Sequence, residues 1–199
     1  WAGAVAQGTA QAGDQVSRRR TIVACEGGLS LAFDVTPKEQ IPLLMRANRL
    51  LGAALVEQNL IRVEDLETAN DKLLELTDSN NLRQRTVLGI LAHDMKVIVE
   101  EDVLQHLVES TGIGLVDLRD YEVTEEANKL LDPEAGWATW TVPFDKEGEY
   151  TFLATAYYLS PAVRTYWEKR LNGPILWFGT TLGQIADFLD QRASPAPVA

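Results

Sequence analysis

The sequence predicts an α+β fold: a helical lobe of two helix-turn-helix copies over residues 37–111, then a small βαβ-type lobe over 112–192. Three observations predict it. Apolar residues recur at helical spacing through the first region. The pattern of that region repeats at an offset of 37 residues, and an internal repeat is a stronger signal than any single motif. Through the second region, β-type runs alternate with helical ones.

Composition bounds the function. The 199 residues are 46% hydrophobic and 24% charged, which is ordinary for a globular chain. A net charge of -11 repels phosphate backbones and anionic lipid surfaces, so no nucleic-acid partner is expected. One cysteine, Cys25, allows no internal disulfide, and two histidines leave little material for a zinc site. No apolar run approaches the roughly 18 residues of a membrane span, so none is expected. Trp1 stands where a Met would open a full chain, which reads as a piece of a longer protein.

Taken in order, residues 1–20 are rich in Ala, Gly and Gln without an apolar period and are read as a disordered tail. Residues 21–36 read as a β-hairpin, with Glu26-Gly27-Gly28 as the turn. Thr36-Pro37-Lys38-Glu39 is a helix start, with Pro37 at the first helical position and Glu39 completing a capping box. That helix is expected to bury Ile41 and Leu44 and run towards Leu55. Gln58-Asn59 breaks it, because Asn is one of the few side chains tolerated in a left-handed turn. A second helix from about Val63 carries Leu66, Ala69 and Leu73 on one face. The same order recurs at 87–110. Leu51-Gly52 aligns with Leu88-Gly89, Leu60-Ile61 with Val97-Ile98, and Asp65 with Asp102.

The second lobe is read as a strand at 112–118, a helix opening at Thr124 and stopped near Pro133, and a strand over Trp137–Phe144. A strand Tyr150–Tyr157, a helix 161–171 after Ser160-Pro161, a strand Ile175–Phe178 and a helix Thr181–Arg192 follow. Residues 193–199 are read as a second disordered tail.

No constellation points to catalysis, and the chain is read as a non-enzyme. His93-Asp94 are helix neighbours and do not face each other. His106 with Asp102 or Glu109 reads as polar pairing on a solvated face. Glu100-Glu101-Asp102 and Glu125-Glu126 stand at helix starts, where the macrodipole favours negative charge. The GxxxxGK[ST] phosphate loop is absent. Trp137, Trp140, Tyr157, Tyr158, Trp167 and Trp177 read as a bulky core with one or two rings left for a docking patch.

At the repeated Leu-Gly element, with GLVDL (114–118), LLDPE (130–134), WTVPF (140–144) and LSP (159–161) following in order, the sequence resembles a known family. It resembles the N-terminal (MshEN) domain of GspE-type type II secretion and type IV pilus assembly ATPases, a domain also appended to envelope glycosyltransferases. The resemblance covers about residues 43–192. It implies a bacterial regulatory or docking domain that contacts a protein partner of a secretion, pilus or polysaccharide machine. It also implies a cytoplasmic place, held at the inner face of the membrane through that partner. Better-known members bind cyclic di-GMP, whose guanine offers paired acceptors to a motif Arg while Gly admits the backbone and Leu packs on the base. The residues that would make such a site are Leu51, Gly52, Leu55, Leu88 and Gly89, with Arg49 one residue before the motif's Arg position. The motif departs elsewhere: Leu50 and Val87 hold the Arg positions, Asn59 and Lys96 the second Gly, and Leu73 and Ser110 the Gln. The reading is therefore a docking domain that needs no cofactor, with cyclic di-GMP sensing as the alternative.

Overall fold

A computed structural model describes residues 37–76, 86–119 and 121–193. The expected hairpin at 21–36, the expected tail 1–20, residues 194–199 of the expected tail 193–199, and Cys25 lie outside the described residues, while Ala193 is helical. All the described residues lie within the compact unit Phe33–Ala199.

The long helix α1 (Pro37–Glu57) is the central element. Pro37 opens it, and a second proline, Pro42, sits in its second turn. Its inner stripe of Leu44, Ala47, Asn48, Leu51 and Leu55 is fully buried. The stripe follows the i, i+3/i+4 rule, so one side of the helix supplies core and the other meets solvent. Ile41, expected inside, is 46% exposed, and Gln40 takes the buried place in that turn.

The chain then turns at Asn59, whose φ of 58° is left-handed, and re-enters as α2 (Val63–Glu75). In the second copy, α3 (Val87–Gly89) runs on as a π-helical turn through Ile90–Asp94. Lys96 then turns left-handed at φ 54°, and α4 (Glu100–Thr111) follows. Asn59 and Lys96 are 37 residues apart, as are the helix-preceding residues Arg62 and Val99, both extended. Ile61 and Ile98 are both buried. The two turns are therefore built alike.

Ahead of the turns the register differs by one residue. Leu60 N donates to Leu55 O at 2.9 Å, whereas Val97 N donates to Leu91 O at 3.0 Å. Gln58 N donates to Ala54 O, whereas Met95 N donates to Ile90 O. Both comparisons give an offset of 36 on the helix side and 37 on the turn side, so the π turn is a one-residue insertion. Leu55 thus corresponds to Leu91, both fully buried, rather than to Ala92. The sequence alignment of Gly52 with Gly89 is correct only for residues after the insertion, and these two glycines pack differently.

A left-handed residue is costly for Lys and nearly free for Gly. Lys96→Gly is expected to raise stability by about 1 kcal/mol and Asn59→Gly by only a few tenths, as read by urea denaturation. A loss of stability at Lys96→Gly would contradict the turn assignment.

The second region carries β1 (Gly114–Leu115), α5 (Glu125–Leu130), α6 (Pro133–Thr139), β2 (Thr141–Glu147), β3 (Tyr150–Thr155), α7 (Pro161–Arg170), β4 (Ile175–Gly179) and α8 (Leu182–Ala193). The sheet order is β1-β4-β3-β2, with β2–β3 an antiparallel hairpin and β3–α7–β4 a parallel crossover. The strand expected over 112–118 shrinks to two paired residues. The strand expected from Trp137 is helical as far as Thr139. Asp132 accepts from Ala135 N at 3.2 Å, Pro133 takes the first helical position, and Trp140 ends the turn at φ 48°. Pro133 therefore starts a helix rather than only stopping one. Between Pro143 and Asp145 the β2–β3 register slips, leaving Phe144 as a bulge. Its ring meets Tyr121 and Phe178 edge-on at 4.9 and 5.4 Å.

The helical and α/β regions share one core, in which α1 packs against α6 and α7. Among the described residues three buried polar links cross between them. Asn48 Oδ1 accepts from Val87 N and from the Tyr157 hydroxyl, each at 2.7 Å. Glu100 Oε2 accepts from Leu182 N at 2.7 Å and so caps the start of α8 from 82 residues away. Ser160 Oγ donates to Ala47 O at 2.9 Å.

Tyr121 donates its hydroxyl to Asp145. That bond, then burial and the Asp145 charge, push the phenol up to about 12. A raised tyrosine contributes stability that is complete below its unfolded value near 10 and is lost as pH rises through the folded value. Spectrophotometric titration of Asp145→Asn should therefore find one more tyrosine ionised at pH 11 than in the parent, because without the carboxylate Tyr121 returns towards 10.

Candidate functional site

Of the six residues assigned to a nucleotide site, four are buried. Leu51, Leu55 and Leu88 are at most 2% exposed. Gly52 is buried, and a Cβ there would stand 2.4 Å from Leu66 Cδ1, so its smallness lets α2 close onto α1. Gly89 is half-buried. Its N–H donates to Thr86 Oγ1 at 2.7 Å, and a Cβ there would approach Thr86 Oγ1 and Leu182 Cδ1 at 2.9 and 3.6 Å. Of the six, Arg49 alone is fully on the exposed surface. The structure thus places the leucines and Gly52 in helix packing, and Arg49 on the outer face of α1.

The titratable candidates have structural partners. His93 Nε2 meets Glu100 Oε1 at 2.9 Å, not Asp94, and Glu100 is the residue that caps α8. His106 Nε2 meets Gln58 Oε1 at 2.5 Å, which links the second copy to the turn of the first. Glu109 instead accepts from Gln105. Glu100, Glu101 and Asp102 fill the first turn of α4, and Glu125 and Glu126 the first turn of α5. Among the described residues no group of three or more His, Cys, Asp or Glu is placed to hold a metal ion. Trp140, Tyr157 and Trp167 are core, while Trp137, Tyr158 and Trp177 are half-buried. Burial raises the Tyr157 hydroxyl far above the usual phenol range, as suits a core hydrogen-bond donor.

What the outer surface offers is a groove between α1 and α2 of about 470 Å³. Its α1 wall is Pro42, Met45, Arg46 and Arg49, and its α2 wall is Asn70, Leu73 and Leu74. The α1 residues fall at i, i+3, i+4 and i+7, one stripe of a helix. Leu74 is 59% exposed on the opposite wall. Arg46 and Arg49 are exposed, and neither forms an ion pair among the described residues. A second cleft of about 490 Å³ runs along the first turn, bounded by Asn59, Arg62, Asp65 and Val97. There the Arg62 guanidinium forks onto Asp65 at 2.9 and 3.0 Å, so its charge is already matched. Sequence reasoning missed Arg46, Met45 and Leu74. The signal is the i, i+3, i+4, i+7 stripe from Pro42 to Arg49, on the side of α1 away from its buried stripe.

In fold the chain is similar to two solved structures. One is MshE with cdg, with a TM-score of 0.46 and 17% identity over 71% of this chain and 96% of the other. The other is the N-terminal domain of XpsE, with a TM-score of 0.45 and 18% identity over 69% of this chain and 90% of the other. No family model matches the sequence, and no curated protein matches it. Among the described residues no helix is long and apolar enough to cross a membrane.

Proposed function

We propose that this chain is a non-catalytic docking domain of the kind its sequence resembles, the N-terminal domain of type II secretion and type IV pilus assembly ATPases. It holds a partner protein of a secretion, pilus or envelope-polysaccharide machine against its helical repeat. It passes the state of that contact to an attached catalytic domain. It works in the cytoplasm, reaches the inner face of the membrane through the partner, and needs no cofactor.

One observation carries this reading. The leucines and Gly52 that a nucleotide site would use are packed inside, while the same helix turns an apolar, arginine-flanked groove outward. Apolar surface bordered by polar groups is the usual mark of a protein contact. The coupling route is also built in. The second copy caps α8 through Glu100, and α1 reaches Tyr157 through Asn48, so strain on the repeat bears directly on the α/β region.

The test is co-purification of the tagged full chain from a bacterium that makes it, under crosslinking, followed by mass analysis. The expected result is a stoichiometric complex with a protein of the envelope machinery. A chain that elutes alone and takes up cyclic di-GMP in a saturable manner would instead favour the sensing alternative.

A further inference from the structure

We propose that the groove between α1 and α2 receives an amphipathic helix of the partner, with its acidic flank laid along α1. This rests on the docking reading and names the surface and the chemistry of its occupant.

Shape comes first. The groove lies between two helices, and its α1 wall runs through two turns from Pro42 to Arg49, about 10 Å of helix axis. That length matches anchors at i, i+3 or i+4, and i+7 on a partner helix. Met45 in the wall adapts to an irregular apolar neighbour, and Leu74 offers an exposed apolar contact across from it.

Charge then selects the occupant. The whole chain carries -11, yet this groove is bordered by two arginines on one wall and by no charge on the other. Arg46 and Arg49 stand at i, i+3 on the exposed side of α1 and have no ion-pair partner among the described residues. Carboxylates on one flank of a partner helix would meet both. A small phosphate ligand would engage the arginines but leave Met45 and Leu74 in water. The wrong flank, or a basic helix, would be repelled by Arg46 and Arg49, which gives the contact an orientation.

The experiment is a selection from a displayed library of helical peptides of about 14 residues. The anchor stripe is fixed as Leu, and the flanking positions are free among Glu, Lys, Gln and Ala. The target is the full chain. The selected peptides should carry Glu along one flank. Their affinity should fall at least tenfold for Arg46→Glu/Arg49→Glu, fall by a smaller factor for Arg46→Gln/Arg49→Gln, and fall for Leu74→Asp. All three variants change only exposed groups and should keep the parent melting temperature. Binding should also weaken as salt rises.

Selected peptides without acidic enrichment, or peptides that bind the charge-reversed chain equally well, would overturn the proposal. So would an empty selection. Peptides that lose binding to a chain with Val99→Asp, at an exposed apolar residue before α4 outside the groove, but are indifferent to both arginine variants would overturn this occupant while leaving the docking reading intact. That reading fails separately, by the absence of a co-purifying partner.

Discussion

Asn48→Ala is expected to be among the most damaging single substitutions in the chain. Asn48 is fully buried in α1, and its Oδ1 accepts from the Val87 N–H and the Tyr157 hydroxyl. Its Nδ2 donates to Leu44 O at 3.0 Å. Val87 opens α3, so its N–H has no carbonyl one turn back within that helix to satisfy it. Alanine leaves two buried donors without this acceptor. Each orphaned group costs about 1–3 kcal/mol, so the total is about 3–4 kcal/mol. For a chain of this size that corresponds to a fall in melting temperature of about 10 °C. Tyr157→Phe removes only one donor and should cost about 1–2 kcal/mol. Combined, the two substitutions should lose about 1 kcal/mol less than their sum, because the shared bond can be lost only once. Strict additivity in denaturant titrations would show that the bond does not form.

Gly52→Trp is expected to be comparably severe, for a steric reason. A Cβ at this position already lies 2.4 Å from Leu66 Cδ1. Leu66 is half-buried and the contact is with the end of its side chain, so Gly52→Ala leaves it room to rotate. Alanine also gains about 1 kcal/mol of helix propensity over glycine, so that variant should be close to neutral. An indole has no such escape. It would have to displace α2 from α1, and overpacking of this kind costs about 3 kcal/mol or more. The expected readout is a soluble, folded Gly52→Ala and a Gly52→Trp that is largely unfolded at 37 °C. The reverse order would contradict the packing of α2 on α1. The same packing makes Gly52→Trp a poor probe of ligand binding, for which the exposed Arg49 is the cleaner position.

Much of the fold was legible locally. The start of α1 at Pro37, the cap at Thr124, the helix after Ser160-Pro161 and the left-handed turn at Asn59 each rest on one or two residues with a single strong preference. The acidic openings of α4 and α5 were likewise readable as macrodipole complements. The π insertion was not. It adds one residue inside the apolar run Ile90-Leu91-Ala92, where helical spacing tolerates either register, so Gly89 looked equivalent to Gly52. α6 was hidden by its composition, since Trp137-Ala138-Thr139-Trp140 reads as strand, and only the Asp132-Pro133 start marks the helix.

Long-range polar links were beyond reach for a different reason. Glu100 finds Leu182 N across 82 residues and Asn48 finds Tyr157 across 109, and no local preference encodes a partner so distant. The candidate site divided the same way. Arg49 was singled out, but as a ligand of guanine. Its setting beside Met45, Arg46 and Leu74 depends on which side of α1 the rest of the chain covers.

The central claim is that the residues of the nucleotide motif hold the core together, and that binding takes place on the outer face of the repeat. Thermal unfolding of the full chain with and without excess cyclic di-GMP tests it most directly. A specific ligand at about a hundred times its Kd adds about 2.7 kcal/mol, a rise of roughly 5–10 °C for a chain of this size. The account predicts coincident curves. A saturable rise that Arg49→Ala abolishes would contradict it.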